Sequence, residues 1–191
     1  MQLILFTKKG KVVSLFNLAG WKTNFTGEIP NKCVVCIAPH TSNWDFVVSV
    51  FFKWAYKIEA HFFIKEEWLR FPTKKLITKL GGLPINRSKQ QSTTDIIAAE
   101  FGNREKLILG ITPEGTRKCN PQWKLGFYYI ALKANVPILL VSIDYNKKMI
   151  TIGKEFLPTG DIKNDMAEIA DFYKNVTAKI PENFCLPQNT F

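Results

Sequence analysis

Apolar residues gather along this chain in short runs that alternate with longer stretches of mixed polarity. The short runs have the length and β-branched content of buried strands, and they cover residues 33–39, 61–64, 106–112, 136–143 and 149–152. The longer stretches have the length and composition of helices, and they cover residues 46–56, 72–80, 92–101, 124–134 and 164–179. Strands that alternate with helices predict a single-domain α/β fold with a largely parallel sheet flanked by helices.

Glycine and proline residues mark several predicted boundaries. Pro72 stands near the start of one helix, and Gly81-Gly82 ends it before a short extended piece over residues 83–86. Gly102 stops the next helix. The chain has 191 residues, which is enough for one domain with a sizeable core.

Residues 1–32 have the weakest pattern, and two interpretations stay open for them. Lys8, Lys9 and Lys11 interleave with apolar residues, as in a segment that lies on a membrane. An ordinary basic hairpin or helix packed on the core explains the same pattern. We therefore divide the chain into a basic and apolar N-terminal segment, residues 1–32, and a domain over residues 33–191.

Composition and charge narrow the classes of function. The hydrophobic fraction of 46% argues against disorder. The formal net charge of +10 predicts an anionic partner, and because no nucleic-acid motif is present, we expect a membrane surface or a phosphate-bearing substrate and no nucleic acid. The longest apolar runs are shorter than the ~20 residues that a membrane span needs. Met1 to Phe6 lacks the form of a signal peptide, since the lysines follow it.

The cysteines offer a possible metal or redox site. Cys33-x-x-Cys36 has the spacing of a zinc or redox half-site, but it lies within a predicted strand and no second Cys/His pair has metal spacing. We interpret both residues as small apolar strand residues and expect no metal and no cofactor. A reducing, cytosolic setting fits these cysteines best.

The segment His40-Thr41-Ser42-Asn43-Trp44-Asp45 joins the first predicted strand to the first predicted helix. A histidine at a strand end, with a carboxylate one helical turn away to orient it, suits general-base catalysis. The same residues fit a capping box with Ser42 as N-cap and Asp45 three positions on. The segment alone leaves both interpretations open, although a cap needs no histidine and the chain has only two, His40 and His61.

Charged residues also follow other predicted strands, directly where each strand ends: Lys65, Arg87 and the segment from Glu114 to Arg117. The carboxyl ends of parallel strands share one edge, where α/β folds bind ligands. A solvated lysine or an ordinary turn explains any one of these positions. Together with His40 they predict one crevice that contains a histidine, a carboxylate and three cations.

These segments resemble, in order and spacing, four motifs of the lysophosphatidic acid acyltransferase family, the PlsC-like glycerolipid acyltransferases. The resemblance covers roughly residues 33–143, and it consists of His40 to Asp45, Gly82-Leu83-Pro84-Ile85-Asn86-Arg87, Pro113-Glu114-Gly115-Thr116-Arg117 and Val136-Pro137-Ile138. His-x4-Asp alone is a weak signal. Pro-Glu-Gly-Thr-Arg downstream of it is a strong one.

The resemblance implies a PlsC-like acyltransferase fold and an enzyme that moves a fatty acyl group from a thioester donor to a hydroxyl of a lysophospholipid, such as 1-acylglycerol-3-phosphate. The donor would be acyl-CoA or acyl-carrier protein, a co-substrate and not a cofactor. His40 would be the general base and Asp45 its orienting partner. Cations would hold the acceptor phosphate and Glu114 the glycerol hydroxyls or the arginines, so the implied substrate-binding residues are Lys65, Arg87, Glu114, Gly115, Thr116 and Arg117.

Other expectations concern the acceptor, the intermediate and the membrane. Ile111-Thr112 stand where the family often has a bulky aromatic residue, so a lyso-aminolipid acceptor stays open, as does a non-catalytic basic lipid-binding module. No Gly-x-Ser-x-Gly elbow is present, so we expect direct transfer rather than an acyl-enzyme at Ser42. Backbone N–H groups near the helix start after His40 are candidate oxyanion donors. We predict a cytoplasmic protein, peripheral on the inner face of an anionic membrane.

Overall fold

The computed structural model describes residues 16–65, 72–85 and 92–188. Its strands are β1 (Lys22–Phe25), β2 (Lys32–Ala38), β3 (Ala60–Lys65), β4 (Gly82–Ile85), β5 (Leu107–Ile111), β6 (Ile138–Asp144) and β7 (Met149–Phe156). Its helices are α1 (Asn43–Ala55), α2 (Lys74–Leu80), α3 (Thr93–Gly102), α4 (Gly126–Ala134) and α5 (Ile162–Tyr173). Strands and helices alternate as the apolar pattern predicts.

The strands form one sheet in the order β1-β7-β6-β2-β5-β3-β4. Each described pair of neighbouring strands is parallel except β6 with β7, which confirms the prediction of a largely parallel sheet. The connections through α1 and α2 cross the sheet in one direction, and those through α3 and α4 cross it in the other. Right-handed crossovers therefore place these two pairs of helices on opposite faces.

The central strand β2 shows the two cores that result. Cys33 and Val35 pack in one apolar cluster with Val48 and Phe52 of α1. The alternate residues of β2 pack in a second cluster with side chains of α3, α4 and α5. Because β2 is covered on both faces, it reads as a continuous apolar run and not as an alternating one.

Cys33 and Cys36 are buried free thiols in β2, as their interpretation as strand residues predicts. Burial raises the pKa of each thiol to about 12. Neutral, buried thiols of this kind are inert.

Three boundaries differ from the sequence prediction. β1 was not predicted, and it pairs with β7, so the sheet begins before residue 33. The last strand extends to Phe156. The last helix ends at Tyr173, because the chain beyond it turns back to contact the sheet edge: the Tyr145 amide donates to the Thr177 carbonyl at 2.9 Å.

Residues 1–15 of the N-terminal segment lie outside the described residues, so the two interpretations stay open for them. Phe16 is described and packs against Phe52, with ring centroids 6.3 Å apart. None of the helices within the described ranges is long and apolar enough to cross a membrane.

Cys119 and Cys185 form a disulfide across 66 residues of sequence, which disagrees with the expected reducing setting of the cysteines. The bond ties the loop after β5 to the chain after α5. Two hydrogen bonds reinforce this link, from Trp123 Nε1 to the Cys185 carbonyl at 3.1 Å and from the Gln188 amide to the Pro121 carbonyl at 2.8 Å.

The disulfide gives a direct prediction for thiol chemistry. Protein that is unfolded without reductant should expose two free thiols out of four cysteines, and four after reduction. Reduction or Cys185→Ser should lower the free energy of unfolding by about 2–4 kcal/mol, since a closed loop restricts the unfolded chain. Thiol titration and urea unfolding measure both. Four free thiols before reduction would contradict the bond.

Candidate active site

Three neighbouring strands bring the site to one edge of the sheet. β2 lies between β5 and β6, and all three run parallel. His40, Glu114 and Tyr145 follow these strands within three residues of their ends. As the shared strand ends predict, His40 and Glu114 are in direct contact. Tyr145 joins them from the other side of β2.

Asp45 has the geometry that both interpretations of its segment require. Its Oδ2 accepts the amides of Thr41 and Ser42, each at 2.7 Å, while the Ser42 side chain accepts the Trp44 amide at 3.2 Å, which completes a capping box at the start of α1. The same Oδ2 lies 3.5 Å from His40 Nδ1. The cap therefore fixes the carboxylate beside the imidazole, and Nε2 is on the other side of the ring.

Tyr145 is a site residue that sequence reasoning missed. Its hydroxyl donates to Asp45 Oδ1 at 2.7 Å. The signal was its position directly after a predicted strand, the same rule that found His40. Burial alone raises the pKa of Asp45, but hydrogen bonds from His40, Tyr145 and the amides of Ser42 and Thr41 outweigh it, and the pKa lies below its ordinary value.

Glu114 is buried behind the His40 turn. It is 2% exposed, and both carboxylate oxygens accept the His40 amide, at 3.0 and 2.9 Å. Burial raises the pKa of Glu114 to about 7, although the His40 hydrogen bond acts in the opposite direction. In this position the side chain supports the backbone of His40. Its predicted contact with substrate stays a prediction.

The candidate oxyanion donors near the helix start are already engaged. Glu114 takes the amide of His40, Asp45 takes those of Thr41 and Ser42, and the Ser42 side chain takes that of Trp44. These four amides therefore have partners within the protein, and the expectation that backbone amides near the helix start serve an oxyanion stays a prediction.

The remaining predicted residues fall into two groups. Gly115, Thr116 and Arg117 are exposed on the loop that follows Glu114. The Lys124 amide donates to the Pro113 carbonyl at 2.8 Å, and the Asn120 side chain donates to the Glu114 carbonyl at 2.9 Å, so this loop is fastened at its start. Lys65 ends β3 at the same sheet edge, but its side chain and all of Arg87 lie outside the described residues.

A cavity of about 480 Å³ lies between α1 and the sheet. It runs from His40 and Asp45 to Ile150 and Ile152 of β7. The polar side chains of its lining are His40, Asp45, Ser49, Lys53, His61 and Thr112, and all the others are apolar. The volume is in the range of small-molecule sites, ~300–1,000 Å³. The mostly apolar lining suits a hydrocarbon chain.

The second histidine, His61, lines the same cavity, but within the described ranges it makes no hydrogen bond with His40, Asp45 or Glu114. His61 lies in β3, and its Nδ1 is buried without a hydrogen-bond partner among the described residues. Burial and the charge of Lys53 lower its pKa. In the part of the chain that the structure describes, no group of His, Cys, Asp and Glu side chains could hold a metal ion.

The buried Glu114 predicts a pH-dependent stability. Folding raises its pKa from 4.5 to about 7, so the protonated form stabilises the fold fully below pH 4.5, and this contribution is lost as the pH rises through about 7. At about 1.4 kcal/mol per pKa unit, the loss is on the order of 3 kcal/mol. Glu114→Gln should remove it, because an amide does not titrate. The measurement is urea unfolding of both proteins at about pH 4.5 and about pH 8. If the free energy of unfolding changed equally between these pH values in both proteins, the raised pKa of Glu114 would be contradicted.

The sequence and the fold are similar to those of known proteins. Residues 22–144, from the first residue of β1 to the last of β6, match the model of the Acyltransferase family. The chain is 30% identical over 123 residues to 1-acyl-sn-glycerol-3-phosphate acyltransferase beta of Homo sapiens, a match that covers 61% of this chain and 44% of that protein. The chain thus spans less than half the length of this relative.

The fold is similar to that in the crystal structure of the 1-acyl-sn-glycerophosphate (LPA) acyltransferase PlsC from Thermotoga maritima. The TM-score is 0.56, and the similarity covers 88% of this chain and 78% of that one. Because the sequence identity is 18%, the similarity shows a shared fold and nothing finer. The family match includes His40, Asp45 and Glu114. The chain therefore belongs to the Acyltransferase family.

Proposed function

We propose that this chain transfers a fatty acyl group from a thioester donor, acyl-CoA or acyl-carrier protein, to a hydroxyl of a lysophospholipid such as 1-acylglycerol-3-phosphate. The observation that carries the proposal is the position of His40 and Asp45 together in the lining of a mostly apolar cavity. A hydrocarbon chain in this cavity would present its thioester to the imidazole. The relatives named as acyltransferases on 1-acyl-sn-glycerol-3-phosphate support the choice of acceptor.

In the proposed reaction His40 acts as general base through Nε2. It takes the proton of the acceptor hydroxyl while the oxygen attacks the thioester carbonyl carbon, and the imidazolium then protonates the departing thiolate as the C–S bond breaks. Proton transfer of this kind contributes about 10²–10⁴-fold to the rate. Asp45 keeps the proton of the neutral ring on Nδ1 and stabilises the imidazolium. The reaction needs no metal and no cofactor.

The acceptor phosphate is assigned to Lys65, Arg87 and Arg117. Arginine donates two parallel hydrogen bonds to a phosphate, and the exposed Arg117 follows the fastened start of its loop. Gly115 and Thr116 belong to the same exposed loop and would contact the head group. Glu114 acts through the His40 backbone, because a carboxylate that is 2% exposed has little room for a glycerol hydroxyl.

The acceptor reaches the enzyme in a bilayer, so we propose peripheral attachment to an anionic membrane on its cytoplasmic face. The net charge of +10 supports an anionic surface as partner. We expect no nucleic acid among the partners.

The test is an acyl-transfer assay of the purified chain with labelled acyl-CoA and acyl-carrier protein. The acceptors are 1-acylglycerol-3-phosphate, its dephosphorylated form and a lyso-aminolipid. We expect transfer to the phosphorylated acceptor and none in His40→Ala. Arg117→Ala should reduce the preference for the phosphorylated acceptor by about tenfold or more, since such contacts are worth ~1.5–3 kcal/mol. Lipid binding without transfer to any acceptor would identify a non-catalytic module instead.

Since Asp45 is both cap and orienting carboxylate, its loss should affect rate and stability together. Asp45→Asn should cut turnover strongly and lower the free energy of unfolding. Ser42→Ala is the matched control: it loses only the cap bond to the Trp44 amide, so it should cost about 0.5–2 kcal/mol of stability with near-normal turnover. Urea unfolding and rates on the same samples separate the two roles. Abolished turnover in Ser42→Ala would point to an acyl-enzyme at Ser42.

A further inference from the structure

The helix α1 is apolar around almost its whole circumference. Its 13 residues, NWDFVVSVFFKWA, include only two charged side chains, Asp45 and Lys53. Asp45, Val48, Phe52 and Ala55 face the protein. A helix that is apolar on all sides is normally buried. Here four large side chains are nevertheless between 42% and 61% exposed: Trp44, Phe46, Phe51 and Trp54. Phe46 also lines the cavity and contacts the ring of Phe62, with centroids 5.6 Å apart.

The short helix α2 lies beside the end of α1 and enlarges this surface. Lys53 of α1 donates from Nζ to the carbonyl of Leu80, the last residue of α2, at 2.9 Å. α2 buries none of its residues, and its Leu76 is 60% exposed. We call the exposed apolar side chains of both helices, with the lysines around them, the α1–α2 surface.

The charge around the α1–α2 surface is mostly positive. Residues 43–58 and 72–85 contain five lysines, namely Lys53, Lys57, Lys74, Lys75 and Lys79. The same ranges contain one carboxylate, Asp45, and it is buried. The exposed Glu59 follows the first range directly and acts on Lys53, but it is also paired with Lys106 at 3.4 Å. The surface is therefore an aromatic centre with a mostly cationic rim.

We propose that the α1–α2 surface docks the protein on an anionic lipid bilayer. Tryptophan and other aromatic rings favour the boundary between lipid and water, and lysines are attracted by anionic head groups. Stable peripheral binding needs two such signals, and this surface combines them. A second copy of the chain would bring lysines against lysines. Residues 1–15 contain Lys8, Lys9 and Lys11 and no acid, so they also lack the complementary charge.

This proposal rests on the proposed function and adds the orientation of the enzyme. α1 begins at the sheet edge that carries His40, and the exposed Trp44 is next in sequence to Asp45. With the α1–α2 surface on the bilayer, the entrance at His40 lies at the level of the head groups. A lysophospholipid could then reach the imidazole without leaving the membrane.

The test is flotation of the full chain with two kinds of vesicle. One contains phosphatidylcholine alone, and the other contains phosphatidylcholine with about 30% phosphatidylglycerol, an anionic lipid that attracts basic surfaces. Phe51→Ser/Trp54→Ser should weaken binding to the anionic vesicles by about tenfold or more. The matched control is Tyr129→Ser/Leu132→Ser, which removes two similarly exposed apolar side chains from α4 on the opposite face. This control should bind as the parent chain does.

The role of the lysines around the α1–α2 surface is tested by replacing them with uncharged residues. Lys74→Gln/Lys75→Gln/Lys79→Gln should weaken binding to anionic vesicles and reduce its salt dependence, because screening then acts on fewer charges. Lys154→Gln/Lys163→Gln/Lys174→Gln lowers the net charge equally at exposed positions elsewhere, and it should weaken binding less. Equal losses in both triples would mean that net charge alone recruits the protein, and this would overturn the proposal.

Further outcomes separate this proposal from its rivals. Unchanged flotation of Phe51→Ser/Trp54→Ser would overturn it, as would a parent chain that forms a dimer in sedimentation and becomes monomeric in this variant. Loss of binding on deletion of residues 1–15, with the aromatic variant unaffected, would assign docking to that segment. Flotation needs no substrate. Activity of the aromatic variant on a dispersed, short-chain acceptor should stay at the parent level, so failure of docking and failure of acyl transfer are measured separately.

Discussion

The site depends on hydrogen bonds from three consecutive backbone amides to two buried carboxylates. The amides are those of His40, Thr41 and Ser42. Glu114 holds the first amide from one side, and Asp45 holds the next two from the other. Parallel pairing of β2 with β5 brings Glu114 to the turn, and the start of α1 brings Asp45. The imidazole is thus positioned by its own backbone as much as by the carboxylate beside it.

The pKa values of the two carboxylates shift in opposite directions, because burial dominates at Glu114 while hydrogen bonds outweigh burial at Asp45. Asp45 accepts two amides and the Tyr145 hydroxyl and lies beside His40, so its pKa stays low despite burial. Glu114 accepts one amide from a buried position, and its pKa rises to about 7. Opposite shifts in neighbouring acids commonly mark separate roles. Here the ionised Asp45 is available to stabilise an imidazolium, while Glu114 holds the backbone at little electrostatic cost.

The sequence predicted what is local or follows from strand ends. Periodic apolar runs located the six predicted strands or extended pieces, and the strand-end rule placed His40 beside Glu114. β1 and the Cys119–Cys185 bond were missed because each depends on pairing between distant parts of the chain. Tyr145 was missed although the strand-end rule applies to it, because its contact with Asp45 joins residues 100 positions apart. The last helix was predicted too long, because tertiary contacts of Thr177 and Ile180 outweigh local helical preference there. The cationic part of the predicted crevice stays a prediction, since Arg87 and the Lys65 side chain lie outside the described residues.

The role of His40 as general base is tested most directly by determining which ring nitrogen of neutral His40 carries the proton. The chain has two histidines, so His61→Gln leaves His40 as the single source of imidazole ¹⁵N signals. With Nδ1 3.5 Å from Asp45, the account predicts that the neutral ring carries its proton on Nδ1 and leaves Nε2 free to accept a proton. In Asp45→Asn this preference should weaken. A neutral ring protonated on Nε2 in the parent chain would contradict the role of His40 as general base.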